Sequence, residues 1–220
     1  MTEFNFETAR FNMVEQQVRP WDVLDPQVLQ LLSSEPREDY VPEAYRQLAY
    51  ADIEIPLGHD EAMMYPRVEG RMLQALNLRP TDKILEIGTG SGFVTSLLAH
   101  LGESVYSVEI YPEFSESAAQ KLAAHNLTNV TLEVGDGAHG WEQHAPYDAI
   151  LVTGSVPDLY DEFKQQLAIG GRLAVVVGTG VVMEAQQIVR NGENSWTTTS
   201  LFETELKPLV HADAPRAFQF

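Results

Sequence analysis

From residue 83 onward, short apolar segments alternate with segments of helical spacing. The apolar segments have the length and β-branched content of buried strands, and they cover residues 83–87, 104–109, 130–134, 147–152 and 172–177. Helical patterns occupy residues 93–100, 112–125 and 159–167. Because strands that alternate with helices pair side by side in one direction, the pattern predicts a parallel sheet flanked by helices, an α/β fold.

The C-terminal part of the pattern changes character. Residues 181–190 and 196–206 alternate apolar and polar positions, with Asn191-Gly192 between them. That arrangement is typical of an antiparallel hairpin, which we expect to close one edge of the sheet. Gly170-Gly171, after the last predicted helix, indicates a helix C-cap turn.

The N-terminal third is divided by prolines into short pieces, and its clearest helices are predicted at residues 26–32 and 67–76. We interpret residues 1–76 as a helical cap packed at the carboxyl ends of the strands, where α/β sheets bind ligands. Residues 77–220 then form the core. With 220 residues, of which 44% are hydrophobic, the chain is expected to form a single domain.

A glycine-rich loop follows the first predicted strand of the core. Gly88, Gly90 and Gly92 stand at alternate positions, which lets the backbone turn sharply and approach a ligand closely. The helix predicted to start at Phe93 offers unpaired N–H groups to a carboxylate or phosphate. Phe93 also stands where the dinucleotide fingerprint needs a third glycine, and Glu86 lies inside the strand, so a nicotinamide cofactor is disfavoured.

The pattern Glu86-x-Gly88-x-Gly90-x-Gly92 resembles motif I of the class I S-adenosylmethionine methyltransferases. Thr89 and Ser91 complete this loop and are predicted to take part in cofactor binding. The alternative is a tight strand-to-helix turn without a ligand.

Three later positions complete a predicted cofactor site. Glu109 ends the second strand, where a carboxylate can accept hydrogen bonds from both ribose hydroxyls of an adenosine cofactor. Asp136-Gly137 follows the third strand and is expected to contact adenine, although a simple Asp-Gly turn is the alternative. Thr153 follows the fourth strand, where it would line the methionine moiety, unless the loop only needs small residues there.

Composition narrows the partners. The chain has 14 lysines and arginines against 32 aspartates and glutamates, a formal net charge of −18, with no basic cluster, which disfavours nucleic-acid binding. It has no cysteine, no metal site is predicted, and no apolar run is long enough for a membrane span. Residues 1–7 lack the features of a signal peptide, so a cytoplasmic location is expected. Nothing in the sequence indicates the oligomeric state.

Six segments together resemble the protein-L-isoaspartate O-methyltransferase family. They are residues 36–42, 49–52, 85–93, 135–141, 145–153 and 170–173, in family order. The Gly-Asp-Gly…Gly-Trp of residues 135–141 and the Ala-Pro-Tyr-Asp-Ala-Ile of residues 145–150 are more specific to this family than motif I. The resemblance implies a seven-stranded Rossmann-like sheet. It also implies methyl transfer from S-adenosylmethionine, with S-adenosylhomocysteine as product, to the carboxylate of an isoaspartyl residue in a damaged protein or peptide.

One family segment differs in this chain. Where the resemblance implies Thr-Ile-Ser-x-Pro, with a serine beside the substrate carboxylate, residues 62–66 read Ala-Met-Met-Tyr-Pro, which puts Met64 at the serine position. A thioether accepts hydrogen bonds weakly and donates none. We therefore expect reduced isoaspartyl activity or a changed, unidentified acceptor. His59, Met64, Tyr65 and Arg67 are the acceptor-side candidates. The alternative is a catalytically degenerate member that binds S-adenosylmethionine as a regulatory or binding protein.

Overall fold

A computed structural model describes residues 4–213 of the chain. At its centre is a seven-stranded sheet in the order β5-β4-β3-β6-β7-β8-β9. Its strands are β3 (Lys83–Ile87), β4 (Ser104–Glu109), β5 (Val130–Val134), β6 (Tyr147–Val156), β7 (Leu167–Thr179), β8 (Val182–Gly192) and β9 (Ser195–Glu203). Strands β3 to β7 run parallel, and β8 pairs antiparallel with both β7 and β9. The predicted α/β class and the C-terminal hairpin are confirmed.

The sheet is covered on both faces, which explains why its central strands read as continuous apolar runs. In β3, Ile84 packs into the core on one face while Leu85 packs into the core on the other. The same alternation holds in β6, where Leu151 and Ile150 point to opposite faces and are fully buried. Burial on both sides makes these two strands the rigid base on which the loops at their carboxyl ends stand.

Helices alternate with the parallel strands as the pattern predicted. They are α4 (Phe93–Leu101), α5 (Pro112–Ala124) and α6 (Asp161–Gln165). The first two join consecutive strands β3, β4 and β5, so each strand–helix–strand unit carries its loops to the same edge of the sheet.

The N-terminal part is helical, and its longest helix covers a face of the sheet. Its helices are α1 (Phe6–Met13), α2 (Pro26–Ser34) and α3 (Pro66–Leu76). The Asp25 side chain caps α2 by accepting hydrogen bonds from the N–H groups of Gln27 and Val28. Leu73 and Leu76 of α3 are buried in the same core as Leu151 of β6.

The predicted position of the cap at the carboxyl ends of the strands was therefore wrong for α3, whose apolar stripe packs against β6, β7 and β8. Helix α2 packs on α3, and α1 packs on α2. A two-stranded antiparallel ribbon does reach the carboxyl edge, and the sequence did not predict it: β1 (Ile55–Gly58) pairs with β2 (Glu61–Met63). The boundary between residues 1–76 and 77–220 stays a prediction, and residues 1–3 and 214–220 of those ranges lie outside the described residues.

Two predicted turns are also corrected. Gly170 does not cap a helix, because α6 ends at Gln165 and Gly170 lies within β7 at a φ of +83°. The register between β6 and β7 shifts at this point: Tyr147 pairs with Leu167, but Ala149 pairs with Arg172, so β7 contains extra residues between the two pairs. The turn of the hairpin follows Gly192, because Gly192 still pairs with Ser195. Asn191-Gly192, which was predicted to form the turn, therefore belongs to β8.

Candidate cofactor and acceptor site

The glycine loop between β3 and α4 has the backbone conformation that its sequence requires. Gly88, Gly90 and Gly92 have φ values of +95°, +52° and +83°, which side chains disfavour. A Cβ on Gly88 would lie 2.2 Å from Oγ1 of Thr153. That hydroxyl is 2.8 Å from the carbonyl oxygens of both Ile87 and Gly88, to which it donates. Thr153 therefore supports the loop directly and fits the space left by Gly88.

Glu109 lies beside this loop at the end of β4. Its carboxylate is 5% exposed, and its Oε2 accepts a hydrogen bond from the Gly90 N–H at 2.8 Å. Its Oε1 accepts from the Tyr111 N–H at 3.0 Å. Two backbone donors orient the carboxylate before any ligand arrives, and each oxygen keeps a further acceptor site. This is the arrangement that ribose hydroxyls require.

Glu86 lies beneath the loop and is fully buried. Its Oε2 accepts hydrogen bonds of 2.5 Å from the hydroxyls of Thr95 and Ser107, and Ser107 also pairs with the Thr89 hydroxyl at 2.6 Å. Burial raises the pKa of the Glu86 carboxyl to about 8, with a smaller contribution from the nearby Glu109 charge, while the two hydroxyls oppose the rise. Glu86 therefore supports the loop from within and does not line the cleft above it.

The loop after β5 contributes Asp136 and Gly137. The Asp136 carboxylate accepts from the Ala138 N–H at 3.0 Å and lies 2.8 Å from Nδ1 of His211. Although partial burial acts in the opposite direction, these contacts hold the pKa of Asp136 below its ordinary value. Asp136 is thus ionised at neutral pH and is available as an acceptor in the cleft that it lines.

These residues surround a cleft of about 750 Å³, its open mouth included. Of the predicted cofactor residues, it is lined by Gly88, Gly90, Glu109, Asp136, Gly137 and Thr153. A volume of this size suits a nucleoside cofactor. Tyr111 and Phe114 line it as well and provide aromatic surface close to Glu109.

A second cavity of about 330 Å³ adjoins the cleft. Both are lined by the same five residues: Leu57, Ala62, Gly88, Gly90 and Thr153. The wall of the second cavity also includes Thr89 and Ser91 of the glycine loop, together with Met64. Met64, at the position predicted to face the acceptor, is 4% exposed. The segment before α3 therefore lies directly against the cofactor loop.

A buried ion pair holds the Met64 segment. The Arg37 guanidinium pairs with the Glu69 carboxylate, with side chains 0% and 1% exposed, and it donates to the Met64 carbonyl at 3.0 Å. It also lies 4.7 Å from the centre of the Phe93 ring at the start of α4. Burial raises the pKa of Glu69, and Arg37 opposes the rise. Arg37 thus connects the segment of residues 62–66, the acceptor segment, to the helix that follows the glycine loop.

The other acceptor-side candidates lie elsewhere. His59 pairs with Glu113 and stacks on Tyr111 at 4.2 Å between ring centres. Arg67 pairs with Asp52, and its guanidinium lies 4.3 Å from the centre of the Tyr65 ring. His59, Tyr65 and Arg67 are not among the described residues that line either cavity. Their role as an acceptor clamp stays a prediction without support from the geometry.

Three charged residues of the cleft escaped the sequence reasoning: Glu54, Glu61 and Lys207. Burial raises the pKa of both glutamates, and the Lys207 ammonium opposes the rise. Little in the sequence indicated Lys207, which is a single lysine next to Pro208, just after the last predicted strand. The buried Ser107 had a clearer signal, a hydroxyl in the middle of an apolar strand next to the strand that carries Glu86.

Among residues 4–213, no helix combines the length and apolar character needed to cross a membrane. In the same range, no group of three or more histidine, aspartate or glutamate side chains is arranged to hold a metal ion.

The fold and site together define a class I S-adenosylmethionine-dependent methyltransferase. The family model for protein-L-isoaspartate(D-aspartate) O-methyltransferase matches residues 10–214, and the chain belongs to this family. The prediction of S-adenosylmethionine over a nicotinamide cofactor is thereby confirmed.

Individual relatives agree with this membership. A protein-L-isoaspartate O-methyltransferase of Protochlamydia amoebophila (strain UWE25) is 40% identical over 201 residues, 90% of this chain and 95% of the relative. One of Syntrophus aciditrophicus (strain SB) is 38% identical over 189 residues, 86% of this chain and 87% of the relative. The comparisons give no support to the alternative of a non-catalytic binding protein.

Solved structures agree at the level of the fold. A Plasmodium falciparum protein described as a protein-L-isoaspartate O-methyltransferase, in complex with S-adenosyl-L-homocysteine, superposes with a TM-score of 0.78 at 17% identity. The match covers 94% of this chain and 99% of that one. Another protein-L-isoaspartate O-methyltransferase gives a TM-score of 0.77 at 23% identity, covering 90% of this chain and 65% of the longer one.

Proposed function

We propose that this methyltransferase transfers the methyl group of S-adenosylmethionine to the free α-carboxylate of an isoaspartyl residue in a damaged protein or peptide. The observation that carries the proposal is the pair of cavities sharing one wall at the glycine loop. One is bordered by Glu109 and Asp136, and the other by Met64 and its segment. A donor in the first cavity and an acceptor in the second would meet over Gly88 and Gly90.

The residues fit the cofactor. The left-handed glycines give the loop a surface without side chains, and Glu109 keeps acceptor sites for two ribose hydroxyls. Asp136 and Gly137 would hold the adenine end. Thr153 and Glu86 would act indirectly, by supporting the glycine loop through the hydrogen bonds already described.

The chemistry asks for orientation and a dry cavity. When bound, S-adenosylmethionine supplies an activated methyl group for in-line transfer to an acceptor oxygen. A carboxylate acceptor is already ionised at neutral pH, so it needs no general base. Beside the Glu69 carboxylate, which pairs with Arg37, the side chains of Met63, Met64 and Val94 form an apolar part of the wall of the second cavity. None of these three donates a hydrogen bond, so the acceptor carboxylate needs a donor from another element.

The proposal includes a protein or peptide acceptor and a cytoplasmic location, and it excludes a nucleic-acid partner. The formal charge of −18 supports the last point, because phosphate binding draws its affinity from clustered lysines and arginines. The lack of cysteine is compatible with a reducing compartment.

Two measurements on the purified full chain test the function. Isothermal titration calorimetry should detect S-adenosylhomocysteine binding without detectable binding of NAD. Labelled methyl transfer should then be found with an isoaspartyl peptide and be absent with the same peptide carrying a normal aspartyl residue. Equal methylation of both peptides, or none despite tight S-adenosylhomocysteine binding, would contradict the proposed acceptor.

A further inference from the structure

Lys207 stands on a segment that is fixed to the carboxyl edge of the sheet. The Lys207 carbonyl accepts a hydrogen bond of 2.7 Å from the Ser155 N–H at the end of β6, and the Leu209 N–H donates to the Ser155 carbonyl at 2.9 Å. The Ser155 hydroxyl donates to the Leu206 carbonyl at 2.8 Å. Because Ser155 belongs to the central strand that also carries Thr153, the Lys207 backbone is held close to the glycine loop.

The Lys207 ammonium contacts the turn between β1 and β2. There it donates to the Asp60 carbonyl and lies 2.8 Å from the Asp60 carboxylate. The Asp60 side chain is fully exposed, and ion pairs with exposed partners are weak because water competes for both charges. Another carboxylate that enters the cleft can therefore replace Asp60 without leaving a buried charge unpaired.

The other basic groups near the acceptor segment are already committed. Arg37 is fully buried and paired with Glu69, and it is not among the described residues that line either cavity. Arg67 is paired with Asp52 and enclosed by the rings of Trp21 and Tyr65. Among the described residues that line the two cavities, Lys207 is the one lysine or arginine. It lines the first cavity, so an acceptor in the second cavity has to extend its carboxylate past the wall that both cavities share in order to reach it.

We infer that Lys207 binds the carboxylate of the isoaspartyl acceptor and so replaces the hydrogen-bond donor that Met64 cannot provide. The inference rests on the proposed function and assigns its acceptor-binding residue. A charged amine donates up to three hydrogen bonds and attracts a carboxylate strongly once water is excluded. The acceptor must then displace Asp60 from Lys207.

Other charges around Lys207 set the conditions for this exchange. Its hydrogen bond to Asp60 raises its pKa, so it stays protonated at neutral pH. Glu54 and Glu61 also face it, and both carry pKa values raised by burial. These carboxylates offset part of the positive potential, so an acceptor needs direct contact with the ammonium group and not only long-range attraction.

The test measures peptide binding to the complex of the full chain with S-adenosylhomocysteine. The ligands are an isoaspartyl peptide and the matched peptide with an isoasparagine carboxamide. Lys207→Gln should weaken binding of the carboxylate peptide about tenfold to a hundredfold and should abolish its preference over the carboxamide. Lys207→Arg should restore most of that preference. Asp60→Asn, which removes the competing carboxylate at a left-handed position that asparagine tolerates, should strengthen binding several-fold.

Lys164→Gln is the control, because it removes the same charge from α6, where Lys164 pairs with Asp161. S-Adenosylhomocysteine affinity should be equal in all variants. Unchanged peptide preference in Lys207→Gln would overturn the inference. A parallel loss of S-adenosylhomocysteine affinity would also overturn it, because Lys207 would then hold the cofactor. Absence of isoaspartyl peptide binding to the parent complex would overturn it as well. Peptide binding that depends on Lys207 but leads to no methyl transfer would support the inference and contradict the proposed function.

Discussion

Replacing Glu109 with alanine tests the cofactor site most directly. The substitution removes a carboxylate that is 5% exposed and already oriented by the N–H groups of Gly90 and Tyr111. Because the protein holds the carboxylate in place before binding, the ligand bears little ordering cost when its ribose hydroxyls bond to it. The full strength of those hydrogen bonds should therefore appear in the affinity.

The magnitude follows from the number of bonds. A hydrogen bond to a charged group contributes about 1.5–3 kcal/mol, and two ribose hydroxyls give a loss of at least about 3 kcal/mol. Since about 1.4 kcal/mol corresponds to a tenfold change, Glu109→Ala should raise the Kd for S-adenosylhomocysteine at least about 100-fold. Glu109→Gln keeps one carbonyl oxygen as an acceptor, so its Kd should lie between those of the alanine variant and the parent.

Calorimetry with S-adenosylhomocysteine measures these changes, and circular dichroism reports whether each variant is folded. Glu116→Ala is the matched control, because it removes the same charge from an exposed position on α5. A folded Glu109→Ala protein that binds within twofold of the parent would refute the ribose assignment. A similar loss in the control would show that net charge alone controls affinity.

Three further predictions concern the loop and the acceptor segment. Gly90→Val should abolish S-adenosylhomocysteine binding. Gly180→Val is the control, because Gly180 has a similar positive φ but a Cβ there would have no neighbour within 4 Å, and this variant should bind like the parent. Equal binding by both variants would contradict the prediction. The pKa of Glu86 is raised to about 8 from an ordinary 4.5, so the folded state keeps this proton to a higher pH than the unfolded state. The free energy of unfolding should therefore fall as pH rises from about 4.5 to 8. The Tm of Glu86→Gln should lack this decrease over the same pH range, and parallel curves of Tm against pH for the variant and the parent would contradict the assignment. Ala62→Thr with Met64→Ser should lower the KM for an isoaspartyl peptide by adding hydroxyl donors to the second cavity, and an unchanged KM would show that this wall does not touch the acceptor.

Much of the cofactor side could be predicted because its determinants lie close together along the chain. A strand that ends in alternate glycines can do little other than turn tightly, and the following acid, Glu109, comes at the end of the next strand. Parallel pairing of neighbouring strands brings both to one edge of the sheet. The hydrogen bond between the Gly90 N–H and Glu109 follows from this topology. Periodicity alone was sufficient for the α/β class and the hairpin.

Other features were predicted wrongly because the contacts that determine them join residues far apart in the sequence. The turn at Gly170 looked like a helix cap, and only pairing with β6 made it an insertion within a strand. Helix α3 has the apolar stripe of a cap at the strand ends, yet that stripe is buried against a sheet face formed by residues far along the chain. Local spacing does not specify which of two apolar surfaces a helix will cover.

The sequence by itself determined the class of cofactor, the strands that carry its loop, and the absence of a hydroxyl at position 64. Only the tertiary structure decided which charged groups pair near the site. Lys207 reaches Asp60 across 147 positions, and Arg37 reaches Glu69 across 32. Such pairs depend on how whole elements pack, since burial of the sheet faces sets their distances, and no pattern of neighbouring residues encodes them.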